Sequence, residues 1–395
     1  MSLDGGGSWA LIQVKALMQL FPGGANTSGR DVLKEFDLVA ANSGGSIVLG
    51  CLIDNHPLGE ILSLFRDEQE RRSIFAATGN IGYQLTEEIA GFGPKYSAEK
   101  KLKALRHVLA RCGDHALPDA VKGIAGHNGQ DIQVLIAGFD YDRLRARFFR
   151  SQASGGEGYG SGAQANVTLA EAIHASTNAP VNYFDGPASF PGNPGRYWDG
   201  AITGCNNPVL AGVTEAAALT KGTMEIVALS LGTGTVALPW PTTGEEGSPY
   251  VRQPGDRGLM KDLKKLAGAI LDDPPDMASY VAHVMTGGSD GLPPGGTADS
   301  RIVRMSPMIS PARGHNEKWV PPAEMLPEDF QTLCEMEMDA IEQNDVDLIA
   351  RYADLWLGDR APNQPVRMDG DTLNCELGHS RFGRARDAWN EIRGD

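Results

Sequence analysis

The sequence predicts an α/β protein of three layers, with helices on both faces of a central, mostly parallel sheet and a helical C-terminal extension. Three observations predict it. A glycine run, Asp4-Gly5-Gly6-Gly7, precedes a helical apolar pattern. A short apolar strand, Asp37 to Ala41, runs into the turn Ala41-Asn42-Ser43-Gly44-Gly45 and then into a buried helix over Ile47 to Ile53. Further apolar strands recur downstream between helical patterns. Glycine loop, helix, strand, elbow, helix is the layout of a sheet whose chemistry lies at the carboxyl ends of its strands.

Each element has its own signal. Trp9, Leu11, Ile12, Val14, Leu17, Met18, Leu20 and Phe21 recur at helical spacing, and Pro22-Gly23-Gly24 ends the run. Only Met1-Ser2-Leu3 precede the glycines, so the strand feeding them is expected to be very short; a natural start further upstream is an open alternative. Residues from about Pro57 to Leu109 read as mostly helical. They are interrupted over Ala76 to Tyr96, where glycines stand beside Tyr83, Phe92 and Tyr96; a lid and an ordinary surface loop both fit. Gln133 to Phe139 reads as a strand with Leu144 to Phe149 as its neighbour, Ser154 to Gly162 as an exposed glycine-rich loop, and Leu169 to Ser176 as a short helix. Met224 to Leu231 reads as a buried strand ending in Gly232-Thr233-Gly234. Pro239 to Gly258 and Thr286 to Asp299 read as loops, Ile302 to Met305 as a last strand, and Asp329 to Leu357 as largely helical. Residues 1–240 are expected to form the catalytic core, and 241–395 an extension packed on the same domain.

Composition narrows the function. The 395 residues are 41% hydrophobic and 22% charged, enough for a large core, and 49 Gly with 24 Pro make the chain loop-rich. A net charge of -15 opposes long-range attraction to nucleic acid and to anionic membrane surfaces, so lipid contact would need a local apolar or basic patch. The cysteines at 51, 112, 205, 334 and 375 are odd in number and contain no C-x-x-C. A reducing compartment fits them best, and most read as buried small apolar residues. No apolar run reaches the length of a membrane span and no signal peptide is evident, so the expected location is cytoplasmic, peripheral at a membrane, or that of an exported effector. No cofactor and no metal site is expected.

Two segments can carry chemistry. A serine on a sharp strand-to-helix turn projects into the crevice, provided its neighbours are small; Ala41, Gly44 and Gly45 meet that demand around Ser43. Ala41 stands where the ordinary G-x-S-x-G pattern has glycine. The run Gly5-Gly6-Gly7 lacks the spacing of a dinucleotide fingerprint and the Lys-Ser/Thr of a P-loop. At a helix N-terminus its N–H groups suit an oxyanion. Asp199, in Tyr197-Trp198-Asp199-Gly200-Ala201, reads locally as a turn aspartate. His283, His315 and His379 all follow it, so the order Ser, Asp, His of a triad is also available, while His174 reads as a packing or surface residue.

Five ordered motifs together resemble the patatin-like phospholipase family: D-G-G-G at 4–7, N-S-G-G-S at 42–46, A-S-T-N-A-P at 175–180, D-G-A at 199–201 with N-N-P at 206–208, and L-S-L-G-T-G at 229–234. The resemblance runs from about Leu3 to Gly234. It implies a serine–aspartate dyad, with Ser43 as nucleophile and Asp199 as base, and an oxyanion hole of Gly5, Gly6, Gly7 and Gly44. It further implies calcium-independent hydrolysis of glycerophospholipid esters at a phospholipid or membrane surface, as phospholipase A or lysophospholipase. Members of that family serve as toxins, as effectors switched on by a partner or a signalling nucleotide, and as housekeeping lipases, which leaves a regulatory ligand or protein partner open here. One departure is Trp9, where the family commonly has Arg or Lys. The alternatives are a soluble carboxylesterase or thioesterase with a Ser-His-Asp triad, and a weakly active lipid-binding relative.

Overall fold

The computed structural model describes residues 1–74, 97–152, 166–180, 184–191, 193–241, 244–245, 247–253, 275–288, 300–314, 318–322, 324–337 and 340–394. The segment Ala76 to Tyr96, the loop Ser154 to Gly162 and His315 lie outside the described residues. The principal strands are β1 (Ser2–Leu3), β2 (Leu38–Ala41), β3 (Gln133–Asp140), β4 (Arg145–Arg150), β5 (Ala188–Phe190), β6 (Asn193–Asp199), β7 (Ala228–Leu231), β8 (Thr235–Val236) and β9 (Ile302–Met305). The principal helices are α1 (Leu11–Leu20), α2 (Gly29–Leu33), α3 (Ser43–Ile53), α4 (Leu58–Arg66), α5 (Glu68–Ile74), α6 (Ala98–Val108), α7 (Leu117–Ala120), α8 (Leu169–Ser176), α9 (Val209–Thr220), α10 (Pro275–Met285), α11 (Pro327–Glu335), α12 (Gln343–Leu357) and α13 (Phe382–Arg393).

Five strands, in the order β3-β2-β1-β7-β9, run parallel. The two residues of β1 are paired on both edges, Leu3 with Ala41 of β2 and with Leu231 of β7, which explains how so short a strand persists. Antiparallel β4 pairs with β3, and the β5–β6 hairpin joins β3 through Gly138, Phe139 and Asp140.

The faces are divided by the alternation of side chains along each strand. Val39 and Ala41 of β2 enter the larger core with Leu11, Val14 and Leu17 of α1 and Val48 of α3. Ala40 faces the other way, against Gly212 of α9, where an added Cβ would come within 3.0 Å of Ala40 Cβ. On that second face Val209, Val213, Ala278 and Ala282 pack with Ala228 and Ile302. The sheet between two helical layers is the architecture the sequence predicts.

Two details differ from the sequence reading. The strand before Gly232 begins at Ala228 rather than Met224, because Lys221 and Gly222 take left-handed conformations (φ 53° and 68°) and leave Met224 and Val227 exposed. Among the cysteines only Cys51 and Cys112 are fully buried; Cys205, Cys334 and Cys375 are half-buried.

β9 extends the central sheet, and Trp356 of α12 is fully buried with its ring edge-on to Phe382 of α13 at 4.7 Å between centroids. Its Nε1 donates to Asn363 Oδ1 at 3.1 Å. Trp356→Ala is expected to lower unfolding free energy by about 3–5 kcal/mol, read as a fall in the urea midpoint.

Candidate active site

The register of β3 brings the two segments of interest together. Ile136 pairs with Ala41 of β2 and with Phe149 of β4; Gly138 pairs with Asp199 of β6 and with Arg147 of β4. A strand has two edges, so β2 and β6 occupy the same edge of β3, opposite β4. They run in opposite directions, and their carboxyl ends therefore meet head to head. Asn42 and Ser43 leave one end as Asp199 leaves the other.

Ser43 has φ 46°, a left-handed conformation that is uncommon for a residue with a side chain and is the strain expected of an elbow. Surrounding packing holds it there. A Cβ on Gly44 would fall 2.5 Å from Gly7 O, and one on Gly45 would fall 2.5 Å from Leu3 O, so helix α3 starts against the glycine loop only because both side chains are absent. The Ser43 N–H donates to Ser176 Oγ at 2.9 Å, Gly45 N–H to Asp4 O at 3.1 Å and Ser46 N–H to Asn42 O at 3.2 Å. Among the described residues, the Gly44 N–H is the donor of this first turn that no protein acceptor takes.

The glycine loop is tied down from three sides. Gly5 N–H donates to Asn206 O at 2.8 Å, and Gly5 O accepts from Thr233 Oγ1 at 2.6 Å. Gln13 Nε2 donates to Asp4 O at 2.9 Å and to Leu231 O at 3.0 Å. Gly6 (φ 149°) and Gly7 (φ 53°) take conformations that suit glycine, and among the described residues their N–H groups have no protein acceptor. The donors left open are thus Gly6, Gly7 and Gly44, whereas the N–H of Gly5 is spent on Asn206.

Asp199 is buried. Its Oδ1 accepts from Asn42 Nδ2 at 3.0 Å and from the Ala201 N–H at 2.9 Å. Burial pushes its carboxyl above the ordinary aspartate range; the Ala201 N–H, the Ser43 hydroxyl, the Asn42 amide and the charge of Lys101 pull against that rise. Gly200 permits the approach, since a Cβ there would lie 2.5 Å from Asn42 Oδ1.

Of the three candidate bases of a triad, His283 and His379 lie within the described residues and His315 does not. His283 is buried on α10, with Nδ1 3.0 Å from Ser300 Oγ and its ring beside Tyr280. His379 is half-buried, and burial lowers its pKa. His174 is a packing residue as expected: it is buried against Phe190, and burial pushes its imidazole well below the usual range.

Arg304 of β9 was not foreseen. It is buried, and it reaches past β7 to the base of the glycine loop, where Nη2 lies 2.6 Å from Asp4 Oδ2; Nη1 donates to Ser230 Oγ at 2.9 Å. Gln364 Oε1 accepts from the same guanidinium at 3.2 Å. The signal was a lone charge inside the otherwise apolar run Ile302-Val303-Arg304-Met305. Trp9, by contrast, is buried, with Nε1 donating to Glu337 O at 3.2 Å. It forms one wall of a cavity of about 710 Å³ that also meets Gly5, Gly6, Leu238, Leu333 and Met336. That cavity touches the glycine loop and is not lined by Ser43 or Asp199.

A strained serine elbow facing open glycine N–H groups, at the carboxyl ends of a parallel sheet, defines the α/β class of acyl-transferring hydrolases. The sequence model of the patatin-like phospholipases matches residues 1–213, more than half of the chain, and the chain belongs to that family of lipid acyl hydrolases. No curated protein matches it. Among solved structures, the crystal structure of VipD from Legionella pneumophila is similar at a TM-score of 0.33 and 10% identity, over 89% of this chain and 66% of that one. The chain thus spans just under two thirds of that structure's length.

Burial raises the Asp4 carboxyl to about 6, with Arg304 opposing the rise. Between the ordinary value of 3.8 and about 6, the folded chain holds a proton at Asp4 that the unfolded chain has released. This carboxyl's contribution to stability is therefore greatest below 3.8 and is lost as pH rises through about 6. In urea unfolding, Asp4→Asn is expected to gain on the wild type between pH 4 and 7. Arg304→Met is expected to cost about 3–5 kcal/mol at pH 7, since it strips the partner from a buried carboxylate.

Proposed function

We propose that the protein hydrolyses the acyl esters of glycerophospholipids, as a phospholipase A or lysophospholipase, through a Ser43–Asp199 dyad. The observation that carries this reading is the buried Asp199 carboxyl interacting with the Ser43 hydroxyl, at the point where β2 and β6 meet. Ser43 Oγ attacks the ester carbonyl as Asp199 accepts its proton. A carboxyl raised by burial is a better base than a free aspartate. The oxyanion is received by the N–H groups of Gly6, Gly7 and Gly44, while Gly5 supplies wall rather than donor. Asp199 gives the proton to the departing alkoxide, which leaves as the lysolipid or glyceryl alcohol. Water, deprotonated by Asp199, then attacks the acyl-enzyme; the proton returns to Ser43 Oγ and the fatty acid is freed. No step passes through a metal, so calcium is not required.

Asn42 does a second job. Its amide holds Asp199 Oδ1 while its own Oδ1 accepts from Ser176 Oγ at 3.4 Å. The dyad is thereby linked side chain to side chain to the A-S-T-N-A-P segment. Residues 1–240 carry the reacting groups on this reading, and 241–395 support them through Arg304 and Gln364. The place of work is a phospholipid surface, reached from the cytoplasm as a peripheral enzyme or after export; among the described residues no helix is long and apolar enough to cross a membrane. An enzyme that degrades membranes also calls for control by a ligand or partner.

Fatty-acid release from defined phospholipid vesicles in the presence of chelator tests the reading. Ser43→Ala and Asp199→Asn are each expected to lower kcat/KM by roughly 10⁴-fold, and a fluorophosphonate should label wild type but not Ser43→Ala. Gly6→Ala is expected to cost roughly 10²-fold, because its Cβ would meet Thr233 Oγ1 at 2.3 Å and push the loop away from the oxyanion. Full activity in Asp199→Asn, or hydrolysis confined to soluble esters, would speak for the soluble esterase instead.

A further inference from the structure

Lys101 is a fully buried lysine on the face of α6 that also carries Leu105 and Val108. Its Nζ donates to Asn178 Oδ1 at 2.9 Å and to His174 O at 3.2 Å, and it stands 3.8 Å from the centroid of the Phe184 ring. Asn178 is fully buried too. Its main-chain oxygen accepts the Asp199 N–H at 2.9 Å, and its side-chain amide donates to Gly186 O at 2.6 Å. Lys101 thus stands two hydrogen bonds from the main chain of Asp199. Among the described residues no carboxylate forms an ion pair with it.

We propose that Lys101 is a positioning residue for the Ser43–Asp199 pair: it fixes Asn178, which fixes the end of β6, and its ammonium balances the buried Asp199 carboxylate. The inference rests on the dyad reading above and adds a buried cation that favours the ionised, proton-accepting form of the base. Burying an ammonium is costly, and an apolar residue in that position would pack α6 against α8 without the cost. The charge is therefore retained for something other than packing.

Among the described residues, charged groups on the elements around α6 are committed elsewhere. On α8, Glu171 caps its own helix and meets Arg106, and His174 is held neutral by burial. On α5, Arg71 binds Ile341 O and Arg72 binds Glu68 and Glu342. Asp185 is exposed and accepts the Ala98 N–H. Burial pushes the Lys101 ammonium well below the usual lysine range, and the charges of Asp199 and Asp185 oppose that fall; of these two carboxylates only Asp199 is buried.

The test is the dependence of kcat/KM on pH for a short soluble ester. Lys101→Met and Lys101→Gln remove the ammonium; Lys101→Arg keeps a cation. The acidic limb, which reports ionisation of Asp199 in the free enzyme, is expected to move up by about one pH unit or more in Met and Gln and to hold its wild-type position in Arg. A residue that merely packs would lower kcat at every pH and leave the limb in place; that result in folded Met and Gln variants overturns the proposal. If neither variant folds, wild-type protein labelled with ¹³C at lysine Cε decides. One lysine resonance should shift with a midpoint on the acidic limb, and none doing so overturns the proposal. Failure of the dyad itself reads differently: Asp199→Asn would keep both its activity and its acidic limb.

Discussion

Two strand ends competing for one edge of β3 create this site. Parallel β2 uses the first half of that edge and antiparallel β6 the second, so neither can run further without colliding with the other. Both chains must turn away there. β2 turns through Ser43 in a left-handed conformation, and β6 turns through Gly200, where a Cβ would strike Asn42. The proximity of the serine and the aspartate is a consequence of sheet pairing, which makes it as rigid as the sheet. Asn42 then locks the junction by holding Asp199 Oδ1 across the gap.

The site is also unusually rich in buried charge. Asp4 and Asp199 are both buried carboxyls raised by desolvation, and each is met by a buried basic side chain from an element distant in sequence. Arg304 answers the first as a direct ion pair, with further hydrogen bonds to Ser230 and Gln364. Lys101 acts on the second through Asn178 and across space. Such pairs rarely stabilise a fold against an apolar alternative, because removing each charge from water costs several kcal/mol. Here they tie the two reactive segments to helices and strands that would otherwise touch the site only through packing. The glycine loop in particular is tied to β9, because Arg304 holds Asp4 at its base.

Much of this was legible from residue patterns. The helix over Leu169 to Ser176 and the strand over Ile302 to Met305 fall where the pattern put them, because one has a capping box (Thr168 with Glu171) and the other is a short apolar run. The two-residue β1 also follows the sequence reading. Arg304 and Lys101 left traces, the first as a charge in an apolar strand and the second as a lysine on the apolar stripe shared with Leu105 and Val108. A trace of that kind marks a residue as anomalous without saying what it touches. Met224 misled, since local hydrophobicity extends past the point where Lys221 and Gly222 turn the chain.

The sequence by itself determined the chemistry on offer: a serine among small residues, glycines with unobstructed amides, and an aspartate before a glycine. These are local properties, set by side-chain size and backbone freedom within a few residues. The tertiary structure alone decided which of them are available and to what. It spent the Gly5 amide on Asn206, left those of Gly6, Gly7 and Gly44 open among the described residues, and brought Asp199 to Ser43. Those outcomes depend on registers between strands about a hundred residues apart in the chain, and hydrogen-bond partners that far apart leave no mark on the local pattern of either segment.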